Sequence, residues 1–311
     1  METIFSFINI PLSWVLNFLS GIMGNSFALA LVAFTLFVNL CMLPLSIKSQ
    51  KSSVGQMRIK PKLDELKKKY GDDKQRYSQE MQKLYQEENI SMGGGCLPML
   101  IRMVFMLSVY YLINRPLSYL MAVSEEIIQN AWTAMKDAGV AVGETLNEIQ
   151  IINAVEDGKI AVPEIAEKLN DVSFDLFGLN LTQTPVFGWN IVESWQAIWL
   201  VPILAFAAQM LTSVISMMMQ KKLNPEAPSM MGMMLTMPLI TLFIGFSVPG
   251  AVGFYWICSS VIGSAVQTCV QIFYGPHKML AKERANSIIK VWEEENKYIE
   301  NHVEEDTSAD E

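Results

Sequence analysis

Five apolar stretches, at about residues 26–47, 97–117, 196–218, 230–248 and 250–273, constrain this chain more than any single motif in it. A helix needs roughly 20 residues to cross a hydrocarbon core of about 30 Å, and each stretch is near that length. None of the five contains a carboxylate. Composition agrees: 51% of the 311 residues are hydrophobic and 17% are charged, where a soluble chain carries about 25% charged residues. With a mean hydropathy of +0.27, the expected fold class is an all-α integral membrane protein with five transmembrane helices.

The expected organisation follows the stretches. Residues 1–25 form an external N-terminus with an interfacial helix, in which Val15, Phe18, Leu19 and Ile22 recur at helical spacing beside Trp14. Spans follow at 26–47, 93–117, 196–219, 230–248 and 249–274, the last two joined by a tight turn at Pro249-Gly250. METIFSFINIPLSW has no basic segment followed by a small-residue cleavage site, so it does not read as a secretory signal. The four cysteines lie in or beside spans without CxxC or Cys/His spacing, and read as small packing residues.

Loop charge sets the orientation. Residues 48–83 hold eleven Lys/Arg against five Asp/Glu, whereas 118–195 hold three Lys, no Arg and twelve Asp/Glu. Basic residues close to span ends resist translocation, so segment 48–92 is expected in the cytoplasm and 118–195 outside. The same rule puts the 220–229 loop and the acidic tail 275–311 inside, in a cell membrane.

Within 48–92, Met57, Leu63, Leu66 and Tyr70, then Tyr77, Met81, Leu84 and Tyr85, predict two amphipathic helices turning at Gly71-Asp72-Asp73. The Lys67-Lys68-Lys69 run faces water or anionic headgroups, or serves only as a topology signal. With a net charge of -8 and no aromatic interleaving among the basic residues, no nucleic-acid specificity is expected. In the acidic segment, Thr145 to Glu148 read as a capping box, Pro163 suits a helix first turn, and Ser124-Glu125-Glu126 opens an amphipathic run.

Two strongly polar residues lie in the inner halves of the first two spans: Asn39 in LVAFTLFVNLCMLPLSI and Arg102 in CLPMLIRMVFMLSVYYLI. An ionisable residue at the centre of a span costs about 2.5–3.5 kcal/mol on insertion scales and is usually aimed at protein or a wet cavity. At 1.5 Å per residue, Asn39 lies about 12 Å and Arg102 about 7 Å from the cytoplasmic ends of their spans. Thr35, Asn39 and Ser46 share a face of the first span; Gln209 and Ser213 belong to a polar stripe in the third, and Trp256, Ser260 and Gln267 to one in the fifth. Such stripes serve helix packing in lipid or line a hydrated interior. Both polar residues sit in the inner half, so a cavity there opens to the cytosol and is not a through-pore. Eight methionines between Met217 and Met237 add a flexible apolar surface, a lipid-facing filler or an adaptable entrance.

The runs GNSFALALVAFTLFVNLCMLPLSIKSQKSSVGQM, KPKLDELKKKYGDDKQRYSQEMQKLYQEENI, GGGCLPMLIRM, FDLFGLNLTQTP and SVPGAVGFYWICSSVIGSAVQTCVQ together resemble the YidC-type membrane protein insertases. The resemblance covers roughly residues 20–275 apart from the expanded segment at about 120–170. It implies a five-helix bundle with a cytosol-open hydrophilic groove and a cytoplasmic helical hairpin. It also implies a non-enzymatic insertase and chaperone without cofactor or metal, acting on nascent membrane polypeptides in the lipid bilayer, with the Sec translocon and the ribosome as further partners. An assembly chaperone without insertion activity, or a small-solute transporter, is the alternative. By family position the groove residues include Asn39, Arg102, Gln209 and Trp256. Two departures stand out: the family's first-span arginine is Asn39 here, while Arg102 occupies a second-span position where the family carries glutamine. The tail after residue 285 is acidic where some members have a basic, ribosome-engaging one.

Overall fold

The structure is a computed structural model that describes residues 2–88, 90, 97–140, 143, 146–185, 196–223 and 231–309. Side chains are described at these positions except 2–6, 51–53, 56, 97–100, 102, 219–223, 231–235, 276–277 and 299–309. In chain order the elements are α1 (Glu2–Ile22), α2 (Phe27–Cys41), α3 (Leu43–Tyr70), α4 (Lys74–Glu87), α5 (Leu97–Asn114), α6 (Pro116–Tyr119), α7 (Glu125–Asp137), α8 (Glu148–Glu156) and α9 (Pro163–Asn170). The hairpin β1 (Asp175–Leu176) and β2 (Leu179–Asn180) follows, then α10 (Leu200–Leu223), α11 (Met231–Gly245), α12 (Gly250–Tyr274) and α13 (Pro276–Ala309). Among the described residues, the regular structure is helical apart from that antiparallel pair and an isolated parallel bridge between Ser26 and Ser173. The chain divides into two compact units: Met1–Met42 with Ile101–Val266, and Leu43–Leu100 with Gln267–Glu311.

Among the described residues, two helical runs are long and apolar enough to cross a membrane, Ala197–Met218 and Gly250–Tyr298. A third passes only when Phe27–Cys41 is taken together with Leu43–Gln50 across the break at Met42. Expectation had the first span continuous over 26–47. Pro44 explains the interruption, because it has no N–H to return to the Leu40 carbonyl and its ring disfavours helical geometry just before it. The Met42 N–H instead closes the end of α2 on the Val38 and Leu40 carbonyls. The second and fourth expected spans hold helices of 18 and 15 residues, which at 1.5 Å per residue are about 27 and 22 Å long.

In the first unit, α1 begins well before residue 11 and packs along α2. Gly24 and Asn25, at φ +66° and +59°, form the turn between them. These two residue types reach the left-handed region at least cost. The expected apolar stripe of α1 is split: Val15 and Leu19 pack toward the core with buried Leu12 and Leu16, while Phe7, Ile10, Trp14, Phe18 and Ile22 form an exposed face. A single buried cluster joins α2, α5, α10 and α12 to the connecting segment, running from Phe27, Phe34, Leu112 and Tyr255 to Leu117, Ile128, Ile152 and Leu181.

The capping box at Thr145–Glu148 is replaced by a simpler device. Asn147 is the cap of α8, its Oδ1 accepting from the Ile149 and Gln150 N–H groups; the Thr145 position lies outside the described residues. Pro163 opens α9.

The second unit contains the helical hairpin. Asp73 caps α4 by accepting from the Arg76 N–H, and Leu84 is buried with Tyr77, Met81 and Tyr85 half-buried beside it. Unlike the expected pair of short helices, α3 runs unbroken from Leu43 to Tyr70, through Pro61. Arg58 and Lys62 of α3 both pair with Glu88, and Arg58 also reaches Glu283 of α13 at 3.4 Å.

Candidate intramembrane groove

Packing in the first unit is strongest at one end of its helices. In α2 the buried residues are Phe27, Ala28, Ala30, Leu31, Phe34, Thr35 and Val38, and burial stops before Asn39. In α5 it begins at Ser108 and Val109 and includes Leu112 and Ile113, whereas the described side chains from Ile101 to Leu107 are half-buried or exposed. α10 is buried at Val201, Pro202 and Ala205, and every described side chain from Phe206 to Met218 is half-buried or exposed. α12 is buried almost continuously from Gly250 to Cys258, then only at Gly263 within this unit. Each helix is thus tightly packed at the end nearest the 116–183 segment and loosely packed at the other.

Small residues and backbone bonds make the tight end. A Cβ on Gly253 would meet Val201 Cγ1 at 2.6 Å, and one on Gly250 would meet Ile198 Cδ1 at 2.8 Å, so α12 approaches the chain at 198–201 as closely as its backbone allows. A Cβ on Gly245 would meet Pro202 Cβ at 2.8 Å and lie 4.0 Å from the Trp256 ring, which brings α10, α11 and α12 together. The N–H groups of Gly250 and Ala251, without partners inside their own helix, donate to the Gln183 and Leu181 carbonyls at 2.8 Å each. Likewise the Phe27 N–H donates to Ser173 O at 3.0 Å, and the Phe27 ring sits 5.1 Å from that of Phe174. The segment after α5 is therefore a lid stitched onto the starts of α2 and α12.

Glu148 completes the lid. Its carboxylate is almost fully buried and accepts from Ser118 N and Oγ at 3.0 and 2.5 Å, tying α8 to the start of α6. Burial pushes this carboxyl above the usual range, opposed by the Ser118 bonds and by the charge of Arg115. The local sequence pattern marks this residue only as the last member of a capping box, and its bonds to Ser118 arise because the fold brings that residue to it.

Most of the polar side chains singled out from the sequence fall in or beside the loose half. Asn39 is half-buried, and its Nδ2 donates to Thr35 O at 2.8 Å. Thr35 is buried, its hydroxyl donating to Leu31 O at 2.6 Å, so each satisfies a donor on its own helix. Gln209 and Ser213 on α10 and Ser260 on α12 are half-buried. Trp256 differs: it is buried in the core cluster beside Gly245. Ser46 and Gln267 belong to the second unit, where both are half-buried. Arg102 is in α5, but its side chain lies outside the described residues, as do those of Met219, Met231, Met233 and Met234 and the whole of Met230.

The sequence profile of the family described as "60Kd inner membrane protein" matches residues 18–276. The chain belongs to this family, and the resemblance to the YidC-type insertases drawn from its motifs holds. Among its relatives, Membrane protein insertase YidC 2 of Listeria innocua is 26% identical over 259 residues, covering 82% of this chain and 67% of that protein. Membrane protein insertase YidC of Haemophilus influenzae is 29% identical over 269 residues, covering 85% of this chain and 36% of that one. A shorter match, 41% over 106 residues, joins 34% of this chain to 19% of the Haemophilus ducreyi protein of the same name. The chain thus spans little more than a third of the Haemophilus influenzae relative.

Proposed function

We propose that this chain is a membrane protein insertase that receives the polar part of an entering polypeptide in a groove at the loose end of the first unit. The carrying observation is the one-ended packing: core and lid close one end, while at the other the same helices leave Asn39, Gln209, Ser213 and Ser260 half-buried. In this reading the five apolar stretches all span the bilayer, the lidded end faces outward, and the N-terminus is outside with the C-terminus in the cytoplasm. The exposed Phe7, Trp14 and Phe18 face of α1 then meets lipid at the outer interface.

The chemistry is solvation, not bond-making. A client span of 20 apolar residues gains about 0.3–0.6 kcal/mol each on insertion, roughly 6–12 kcal/mol in total, so no nucleotide is needed to drive the end state. What opposes entry is the polar flank, at about 2.5–3.5 kcal/mol per charge at mid-membrane. A wet pocket reaching half-way across shortens the low-dielectric path and lowers that barrier. Arg102 supplies the attractive charge for acidic client residues in place of the family's first-span arginine. Asn39, with Nδ2 already engaged by Thr35 O, offers its Oδ1 as an acceptor. Gln209, Ser213 and Ser260 hydrate the wall, the Thr35 carbonyl holds the Asn39 amide, and Trp256 backs the wall from the core. The hairpin α3–α4 and the methionines after α10 meet the client, and the ribosome or Sec translocon when these deliver it.

The test is reconstitution in liposomes with a single-span client bearing an acidic translocated flank, comparing wild type with Arg102→Gln, Asn39→Arg and the double exchange. Arg102→Gln is expected to lose insertion of acidic-flank clients, and the double exchange to restore it. Normal translocation by Arg102→Gln would sink the relocated-charge reading. No translocation by the wild-type protein, with client folding still assisted, would assign an assembly chaperone.

A further inference from the structure

The acidic terminal helix carries a side-chain pattern that the groove does not use. Along α13, Ile289, Trp292, Asn296, Ile299 and Val303 recur at intervals of 3, 4, 3 and 4 residues. These are the a and d positions of a coiled-coil seam, with one asparagine at an a position of the kind that fixes register. The helix is continuous over this stretch. Its beginning is fastened within the second unit by Arg58 and Glu283, but from Ala281 to Glu295 every side chain is exposed. Ile289 and Trp292 are 51% and 61% exposed. Two large apolar groups left open one turn apart on a polar helix mark an interaction surface, and the sequence continues their spacing through Ile299 and Val303.

Charge says what covers it. The positions flanking the seam are Glu293, Glu295, Glu300 and His302, and residues 290–311 hold nine Asp/Glu against two Lys. In a second copy of this helix, parallel or antiparallel, glutamates would face glutamates across most of the seam. Anionic headgroups and nucleic-acid phosphates meet the same repulsion. We infer that the Ile289–Val303 seam of α13 is a docking site for one amphipathic helix of another protein, with apolar residues on its seam and lysine or arginine on its flanks. This inference does not depend on the insertase reading, because it is read by binding alone.

The experiment uses the full chain in phosphatidylcholine nanodiscs and three fluorescent 21-residue peptides followed by anisotropy. The first has Leu and Ile at a and d, one Asn at a, and Lys on both flanks; the second carries Glu on the flanks; the third is the first with its sequence scrambled. The Lys-flanked peptide is expected to bind saturably, and the other two at least about tenfold more weakly. Trp292→Ser with Ile289→Ser should weaken it by about tenfold or more, as for a central apolar anchor, with helicity by circular dichroism unchanged. Glu293→Lys with Glu295→Lys and Glu300→Lys should reverse the preference between Lys- and Glu-flanked peptides. Equal binding of the scrambled peptide reduces the site to bulk charge and overturns the proposal. So does failure of the Lys-flanked peptide to bind, or self-association of the protein that Trp292→Ser abolishes.

Discussion

Replacing Gly253 by alanine would place a methyl 2.6 Å from Val201 Cγ1 at the closed end of the helix cluster. Ordinary carbon contacts lie at about 3.5–4.0 Å, so about 1 Å of separation must be regained. Val201 cannot swing aside easily, because a β-branched side chain in a helix has essentially one χ1 rotamer. Overpacking of this kind costs about 1–3 kcal/mol, offset by roughly 1 kcal/mol for replacing glycine with alanine inside a helix. The net single-mutant effect is therefore a loss of about 0–2 kcal/mol. Val201→Ala removes two buried carbons, worth about 1.6 kcal/mol at about 0.8 each. The double variant has no clash and keeps the helix gain, so it should be more stable than Val201→Ala alone. Thermal unfolding in detergent, with all four proteins measured together, gives the coupling; a favourable value of at least about 1 kcal/mol is expected for residues in direct contact. Additive effects, or a double variant weaker than Val201→Ala, would refute the close approach of α10 and α12.

Glu148→Ala leaves the Ser118 N–H without its acceptor and should cost the lid about 1–3 kcal/mol, seen as faster hydrogen exchange in α8. Because burial raises the Glu148 carboxyl above its ordinary value of 4.5, its stabilising contribution is complete below that value and is lost as pH rises through the folded one. Lid protection should therefore increase on acidification from neutral pH, and the increase should vanish in Glu148→Gln. Asn147→Ala removes the cap of α8 and should cost about 1 kcal/mol in the same assay. In the hairpin the sign is opposite: the hydrogen bond from Lys62 lowers the Glu88 carboxyl, so the tie to α3 is present above its ordinary value and lost as pH falls. Added salt should weaken it as well, which amide exchange near Glu88 would report.

The proposed groove was legible in part. Asn39 and the polar stripe through Gln209 and Ser213 stand out in any reading of the spans, because polar groups in apolar runs are rare and expensive. Trp256 is just as conspicuous in sequence, yet it is packed in the core beside Gly245. Periodicity gives the face of a helix but not what lies opposite it, so a packing aromatic and a groove aromatic look alike. The lid was legible only as an acidic, partly helical segment. Its hydrogen bonds from Gly250 and Ala251 to Gln183 and Leu181 join residues nearly 70 positions apart, and backbone pairing of that kind leaves no pattern in side-chain identity.

By itself, then, the sequence determined the membrane class, the approximate apolar stretches, the hairpin turn at Asp73 and the family, because each depends on composition, local spacing or motif order along the chain. The sequence also pointed to a cavity at the end of the helices that carries Asn39 and Arg102; only the tertiary structure shows how the opposite end is closed. That closure rests on ångström-scale close approach at Gly250 and Gly253, which carry no Cβ, and on the buried carboxylate of Glu148, and these exist only once distant segments have been brought together.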